Sequence, residues 1–376
     1  MLGLLAVAFS LLILEVLARY LPDAAVSVRA HRIPHRVLGW SLEPGATFTY
    51  AAAGPRVAVT YNSKGWRDVE HDRAKPDGTY RLLILGDSFM EAFSVPLGST
   101  MARRLEAELV RAGRDAEVIN FGVGGYGTLQ QWLAFTTEGV AYGPDLVLLG
   151  FYTYNDVLDN SLVLMRGTFS DTNVNVRSRP FLDPSSPAWR VIPPDYEGTQ
   201  QAFDEARGDP ASKLPGPLRY VSGSALYRRL RDARRSFAAR REMSSPPDAD
   251  VGPRSLPGVY RCEETPEWIE AWQLTDRILA RLAADVRASG ADLVVFSVPS
   301  HVEVDVPDGP EARCLANPRS RTRLAAILST HGVRNIDLLP AFARAQRDGV
   351  PLFGSDLHWT EVGHALAARV IAEALR

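Results

Sequence analysis

Arg81-Leu-Leu-Ile-Leu-Gly86 constrains the fold more than any other stretch of this 376-residue chain. After Arg81 it is a short apolar run stopped by glycine, the pattern of a strand buried on both faces of a parallel sheet. Runs of the same kind recur downstream, with helical spacing between them. The alternation predicts strands at 81–86, 117–120, 145–151, 292–298 and 333–337. Helices are predicted at 100–112, 128–140, 266–289, 319–331 and 360–375. Five strands alternating with helices argue for an α/β domain over 80–376, with an open five-stranded parallel sheet of flavodoxin-like type. A long insertion, 157–260, rich in Pro, Ser, Arg and Asp, follows the third strand. Ahead of the sheet, β-like stretches at 47–50 and 57–61 are broken by Pro44, Gly45, Gly54 and Pro55, so 22–79 is expected to be a strand-rich juxtamembrane segment.

The first 21 residues are apolar apart from Ser10, Glu15, Arg19 and Tyr20. At about 1.5 Å per residue, a helix of that length just spans a hydrocarbon core of about 30 Å. No basic stretch precedes it and no A-x-A site closes it, so an uncleaved transmembrane anchor is expected over 1–21. A buried amphipathic helix is the alternative. Arg19, Arg29, Arg32 and Arg36 follow the apolar run, and by charge alone they would keep the body cytoplasmic. Cys262 and Cys314 are the only cysteines. They are unpaired thiols if the body is cytosolic and can close one disulfide if it is exported. A formal net charge of −2 gives no global attraction to nucleic acid, and no zinc-finger, Walker or RNP-like pattern occurs. Within the insertion, Leu226, Leu230 and Phe237 line one helix face while arginines crowd the rest. That face is either solvated or made for anionic lipid or acidic glycan.

In parallel α/β sheets, ligands bind beyond the C-terminal strand ends. Three segments fall there: Gly86-Asp87-Ser88-Phe89 after the first strand, Asn120-Phe-Gly-Val-Gly-Gly125 after the second, and Tyr154-Asn155-Asp156 after the third. A fourth, Ser355-Asp356-Leu357-His358-Trp359, precedes the last helix. A serine hydroxyl needs a base to become a nucleophile, and His358 is the candidate base for Ser88. Asp356 is the candidate to fix its tautomer. Asp87 and Asp156 are expected to brace their loops, and His364 to lie on a helix surface. Asp356, His358 and His364 could also be read as metal ligands, but no HExxH-like pattern supports that, so no metal and no cofactor is expected.

These four blocks, in this order, resemble the SGNH/GDSL hydrolase family. Asn62-Ser-Lys-Gly-Trp-Arg67 and His358-Trp-Thr-Glu-Val-Gly-His364 are similar to stretches of its membrane-anchored bacterial members. The resemblance covers about 80–160 and 290–376. It implies a three-layer α/β/α fold and a serine-dependent ester hydrolase or O-acyltransferase. The implied catalytic residues are Ser88, Asp356 and His358. The oxyanion donors would be the backbone N–H groups of Ser88 and Gly125 and the amide of Asn155. Gly125 is preferred to Gly122 and Gly124 because the family's glycine falls five after the asparagine. The family commonly places its aspartate three before the histidine, where Ser355 stands. The D-x-H spacing is shared with alginate-type O-acetyltransferases. The implied substrate is an acyl ester, acetyl above all, on an extracytoplasmic carbohydrate, with the body outside the cytoplasm. The rival expectation is a catalytically silent carbohydrate-binding or assembly protein.

Overall fold

A computed structural model describes residues 9–10, 12–18, 31–51, 56–169, 173–207, 224–227, 258–306 and 319–376. Most of the expected anchor, the arginine-rich part of the insertion and Cys314 lie outside these residues. Among the described residues, no helix is long and apolar enough to cross a membrane.

Two small antiparallel hairpins come first: β1 (Arg32–His35) with β2 (Gly39–Leu42), and β3 (Thr47–Tyr50) with β4 (Val57–Thr60). The second hairpin alternates apolar-in and polar-out, with Val57 and Val59 buried and Ala58 and Thr60 exposed. The first was not expected from the sequence, because Pro34 and a short polar run hide its alternation.

The sheet then forms from β5 (Tyr80–Leu85), β6 (Ala116–Asn120) and β7 (Leu146–Tyr152). A two-residue hairpin, β8 (Phe181–Leu182) with β9 (Val191–Ile192), interrupts the alternation. The sheet is completed by β10 (Asp292–Val298) and β11 (Arg334–Asp337). All four pairings are parallel, in the order β11-β10-β7-β5-β6. That is the flavodoxin-like order, with its switch point between β5 and β7.

Successive strand residues face opposite ways. Leu82, Ile84, Val118, Leu146 and Leu148 pack on one side, with helices α2 (Met101–Arg111), α7 (Leu339–Arg347) and α8 (Glu361–Ala374). Leu83, Leu85, Ile119, Val147 and Leu149 pack on the other, with α3 (Thr128–Thr137), α5 (Pro266–Ala288) and α6 (Arg319–Thr330). Each fully buried Leu, Ile or Val contributes about 1.5–3 kcal/mol, which offsets the ordering of the strands. The short helices α1 (Ser88–Glu91) and α4 (Thr153–Asp159) leave the switch point. The helix over 339–347 escaped sequence reading because it starts on Leu-Pro two residues beyond a strand. Trp40 and Phe48 of the hairpins, with Tyr61 and Trp66 just beyond them, share a core with Phe121, Tyr126 and the α3 face. The strand-rich segment is thus packed onto the sheet domain.

Candidate active site

Ser88 is the first residue of α1, directly past β5. The turn is capped by Asp87, whose Oδ1 accepts the Phe89 N–H at 2.9 Å. Its other end is held from the N-terminal segment. The buried guanidinium of Arg67 donates to the carbonyls of Glu91 (3.1 Å), Ala92 and Val95 (2.6 Å). Burial lowers the Arg67 pKa to about 10, which leaves it charged. Asn120 Nδ2 donates to the Met90 carbonyl at 2.8 Å, and the Asn120 N–H goes to Asp68 Oδ2 at 2.7 Å.

The loop after β6 lies against this turn. A Cβ on Gly122 would sit 2.7 Å from the Glu91 nitrogen, so only glycine fits there. Gly125 has φ +80°, in the left-handed region. Hydrogen bonding separates the three glycines considered for the oxyanion. The Gly122 N–H is taken by Asn120 Oδ1 at 3.0 Å. The Gly124 N–H is taken at 2.6 Å by the buried Glu91 Oε2, whose Oε1 accepts from Tyr61 at 2.8 Å. Neither the Gly125 nor the Ser88 N–H has a protein acceptor among the described residues.

Asn155 stands in α4. Its Nδ2 donates one hydrogen to Asp87 Oδ2 at 3.2 Å, and its buried Oδ1 has no partner among the described residues. Burial pushes Asp87 up to about 6, while its bonds from Phe89 and Asn155 and the charge of His358 pull the other way. Asp156 is buried and accepts the Tyr152 N–H at 2.7 Å. Both aspartates brace their loops.

His358 reaches in from the loop before α8, with Nε2 2.9 Å from Ser88 Oγ. Its Nδ1 lies 3.1 Å from the Asp356 carbonyl and 3.4 Å from Asp356 Oδ2. Both acceptors favour a proton on Nδ1, which leaves Nε2 free to accept from Ser88. The loop is closed by a bridge between Phe353 and Trp359 and by the Gly354 N–H to the His358 carbonyl at 2.8 Å. Leu357, between the two polar residues, has φ +65°, which costs a leucine about 1–3 kcal/mol. Burial would lower the His358 pKa, but the hydrogen bond and charge of Asp356, with the charge of Asp87, raise it above the ordinary value. For Asp356, burial opposes ionisation, yet the bonds from His358 and Tyr50 hold its pKa below the usual carboxylate value.

Ser88, His358 and Asp356 therefore meet, Asn155 joins them through Asp87, and Gly125 follows Gly124, where a Cβ would lie 3.5 Å from the Ser88 Cβ; carbonyl and carboxylate both serve His358. His364 is a correction: it is 1% exposed, packs edge-on against Trp359, and burial lowers its pKa to about 3. It is a neutral core histidine, not a helix-surface residue. Tyr50, Glu91 and Arg67 went unassigned from sequence. Only Arg67 carried a signal, as the end of Asn62-Ser-Lys-Gly-Trp-Arg67.

Residues 264–376, which include Asp356 and His358 but not Ser88, match a family described as an SGNH hydrolase-like domain, acetyltransferase AlgX. Comparison with curated proteins finds no matching relative. Similar solved structures include the acetyl xylan esterase AlAXEase, at 11% identity and TM-score 0.40, over 79% of this chain and 100% of that one. A catalytic mutant of an acetylxylan esterase from Geobacillus stearothermophilus matches at 11% identity and TM-score 0.42, over 80% and 95%. The lipase/acylhydrolase from Enterococcus faecalis matches at 12% and 0.37, over 78% and 94%. The match over 264–376 and the four sequence blocks share one likeness, to an SGNH hydrolase-like domain, and both point to an enzyme of the esterase or acyltransferase kind, acting on ester bonds.

Proposed function

We propose that the chain removes or transfers an acetyl group carried as an ester by a carbohydrate, through an acyl-enzyme on Ser88. The observation that carries this reading is the 2.9 Å contact between His358 Nε2 and Ser88 Oγ, beside two unspent backbone N–H groups. In the first step Ser88 Oγ bonds to the ester carbonyl carbon and its proton passes to His358 Nε2. The N–H groups of Ser88 and Gly125 and the second Nδ2 hydrogen of Asn155 face the oxyanion, each donor worth roughly 2.7–4 kcal/mol in the transition state. The imidazolium then protonates the departing alkoxide. Water or a sugar hydroxyl, deprotonated by the same histidine, attacks the acetyl-serine and frees Ser88. The first gives an esterase, the second an O-acetyltransferase. The match to a family described as an acetyltransferase supports acetyl as the group carried.

The same reading places the body outside the cytoplasm, on an anchor formed by 1–21. Cys262 is disulfide-bonded, and the sequence holds one other cysteine, Cys314. Disulfides persist in oxidising compartments.

Intact-mass spectrometry of the protein mixed with p-nitrophenyl acetate tests the chemistry. An acetyl adduct on Ser88, absent from Ser88→Ala along with turnover, is the expected result. Faster release of p-nitrophenol on adding an acceptor glycan marks a transferase. Equal turnover by folded Ser88→Ala would remove the nucleophile.

A further inference from the structure

Tyr50 closes the second hairpin, 306 residues from Asp356 in sequence, and its hydroxyl donates to Asp356 Oδ2 at 2.8 Å. We infer that Tyr50 is a positioning residue of the Ser88 site, its phenol holding the Asp356 carboxylate in register with His358. The inference rests on the catalytic reading above and extends it to the N-terminal segment.

The Asp356 carboxylate sits on a loop pinned at its ends by the buried Leu352 and Trp359, but few bonds reach the carboxylate itself. Its Oδ1 accepts the His358 N–H at 3.2 Å, a bond made within the loop itself. Its Oδ2 lies 3.4 Å from His358 Nδ1, too far to fix the carboxylate strongly. Among the described residues, the hydrogen bond from Tyr50 is the one that ties this carboxylate to a different part of the fold. Tyr50 is itself packed in: it is 5% exposed, and its ring lies edge-on against Phe93 at 4.9 Å. Phe93 in turn packs against the His358 ring at 5.1 Å. One aromatic stack thus sets the height of both the phenol and the imidazole. Burial and the Asp356 charge raise the Tyr50 pKa, so the phenol stays a donor wherever the enzyme works.

Without the phenol the carboxylate is free to rotate about its side chain. His358 Nδ1 keeps the Asp356 carbonyl at 3.1 Å, so its tautomer survives. The charged acceptor that stabilises the imidazolium is what weakens. The charged and titratable groups facing His358 are Asp356 from its own loop, Asp87 from the end of β5 and His364 from α8. Asp87 keeps its influence in the variant, so the fall in the His358 pKa is partial.

Tyr50→Phe removes one oxygen and leaves the ring against Phe93, which preserves the fold. With p-nitrophenyl acetate and the full chain, kcat is expected to fall about tenfold. KM stays unchanged, since Tyr50 does not touch substrate, and the acid limb of kcat/KM moves to lower pH. In an Asp356→Asn background the same change costs less than about twofold, because the two residues act as a unit. An unchanged kcat and limb in Tyr50→Phe, or losses that multiply in the double variant, would overturn the inference alone. Absence of Ser88-dependent turnover in the wild type would overturn the catalytic reading, and this inference with it.

Discussion

Ser88 stands on a turn whose neighbours are bound by polar groups from several sides, whereas His358 stands on a loop held to the core by packed side chains and a single phenol. Arg67, Asn120, Asp87 and Glu91 satisfy the buried carbonyls and N–H groups around Ser88. Around His358 the contacts are Ser88 Oγ at 2.9 Å, the Phe89 and Phe93 rings at 5.2 and 5.1 Å, the Tyr50–Asp356 bond, a bridge closing the loop on itself and the buried Leu352 and Trp359 at its ends. The Ser88 half is bonded into the buried core through its backbone, so damage to it should appear as lost stability. The polar atoms of the His358 half have fewer bonds to the rest of the fold, so damage to them should appear as lost chemistry in a folded protein.

With Ser88 and His358 left in place, Asp356→Asn is expected to have the largest effect on chemistry, about 10³-fold in kcat, with little change in thermal midpoint. His358 must be neutral to take the Ser88 proton, so activity rises with pH through its pKa. Asp356 and Asp87 raise that pKa, which places the wild-type limb above the ordinary histidine value of about 6.5. Losing the Asp356 charge moves the limb to lower pH. A silent substitution would mean that the Asp356 carbonyl alone orients the ring.

Arg67→Met tests the other half. Three buried carbonyls lose their donor, and denaturant titration should show a loss of about 3 kcal/mol or more. A stable variant with normal activity would break the contrast, because the Ser88 turn would then not depend on its buried clamp.

The smallest effect is expected at Leu357. Leu357→Gly relieves the left-handed backbone and should keep activity within about threefold. Leu357→Val, whose branched side chain tolerates that conformation poorly, should lose about 1–2 kcal/mol of stability. If the two variants behave alike in denaturant melts, the loop does not depend on that backbone conformation.

The sheet was legible because its strands are buried on both faces and read as short apolar runs, with 292–298 matched residue for residue. Ser88, Asn155 and His358 were legible because each sits in a short local string after a strand or before a helix. Gly125 was chosen by counting from Asn120. The geometry adds a physical reason, since its two competitors spend their N–H groups on Asn120 and Glu91. Tyr50 and Glu91 carry no local signature, because their meaning lies in pairings across the fold. His364 was misread because a histidine six residues past His358 looks polar in sequence, while the helix turns it against Trp359.

Activation of Ser88 by His358 is tested by the rate of fluorophosphonate labelling across pH, with the labelled peptide identified by mass spectrometry. A single adduct on Ser88 is expected, formed at a rate that rises through the raised His358 pKa and collapses in a folded His358→Ala protein. An adduct elsewhere, or labelling of Ser88 at the same rate without His358, would contradict it.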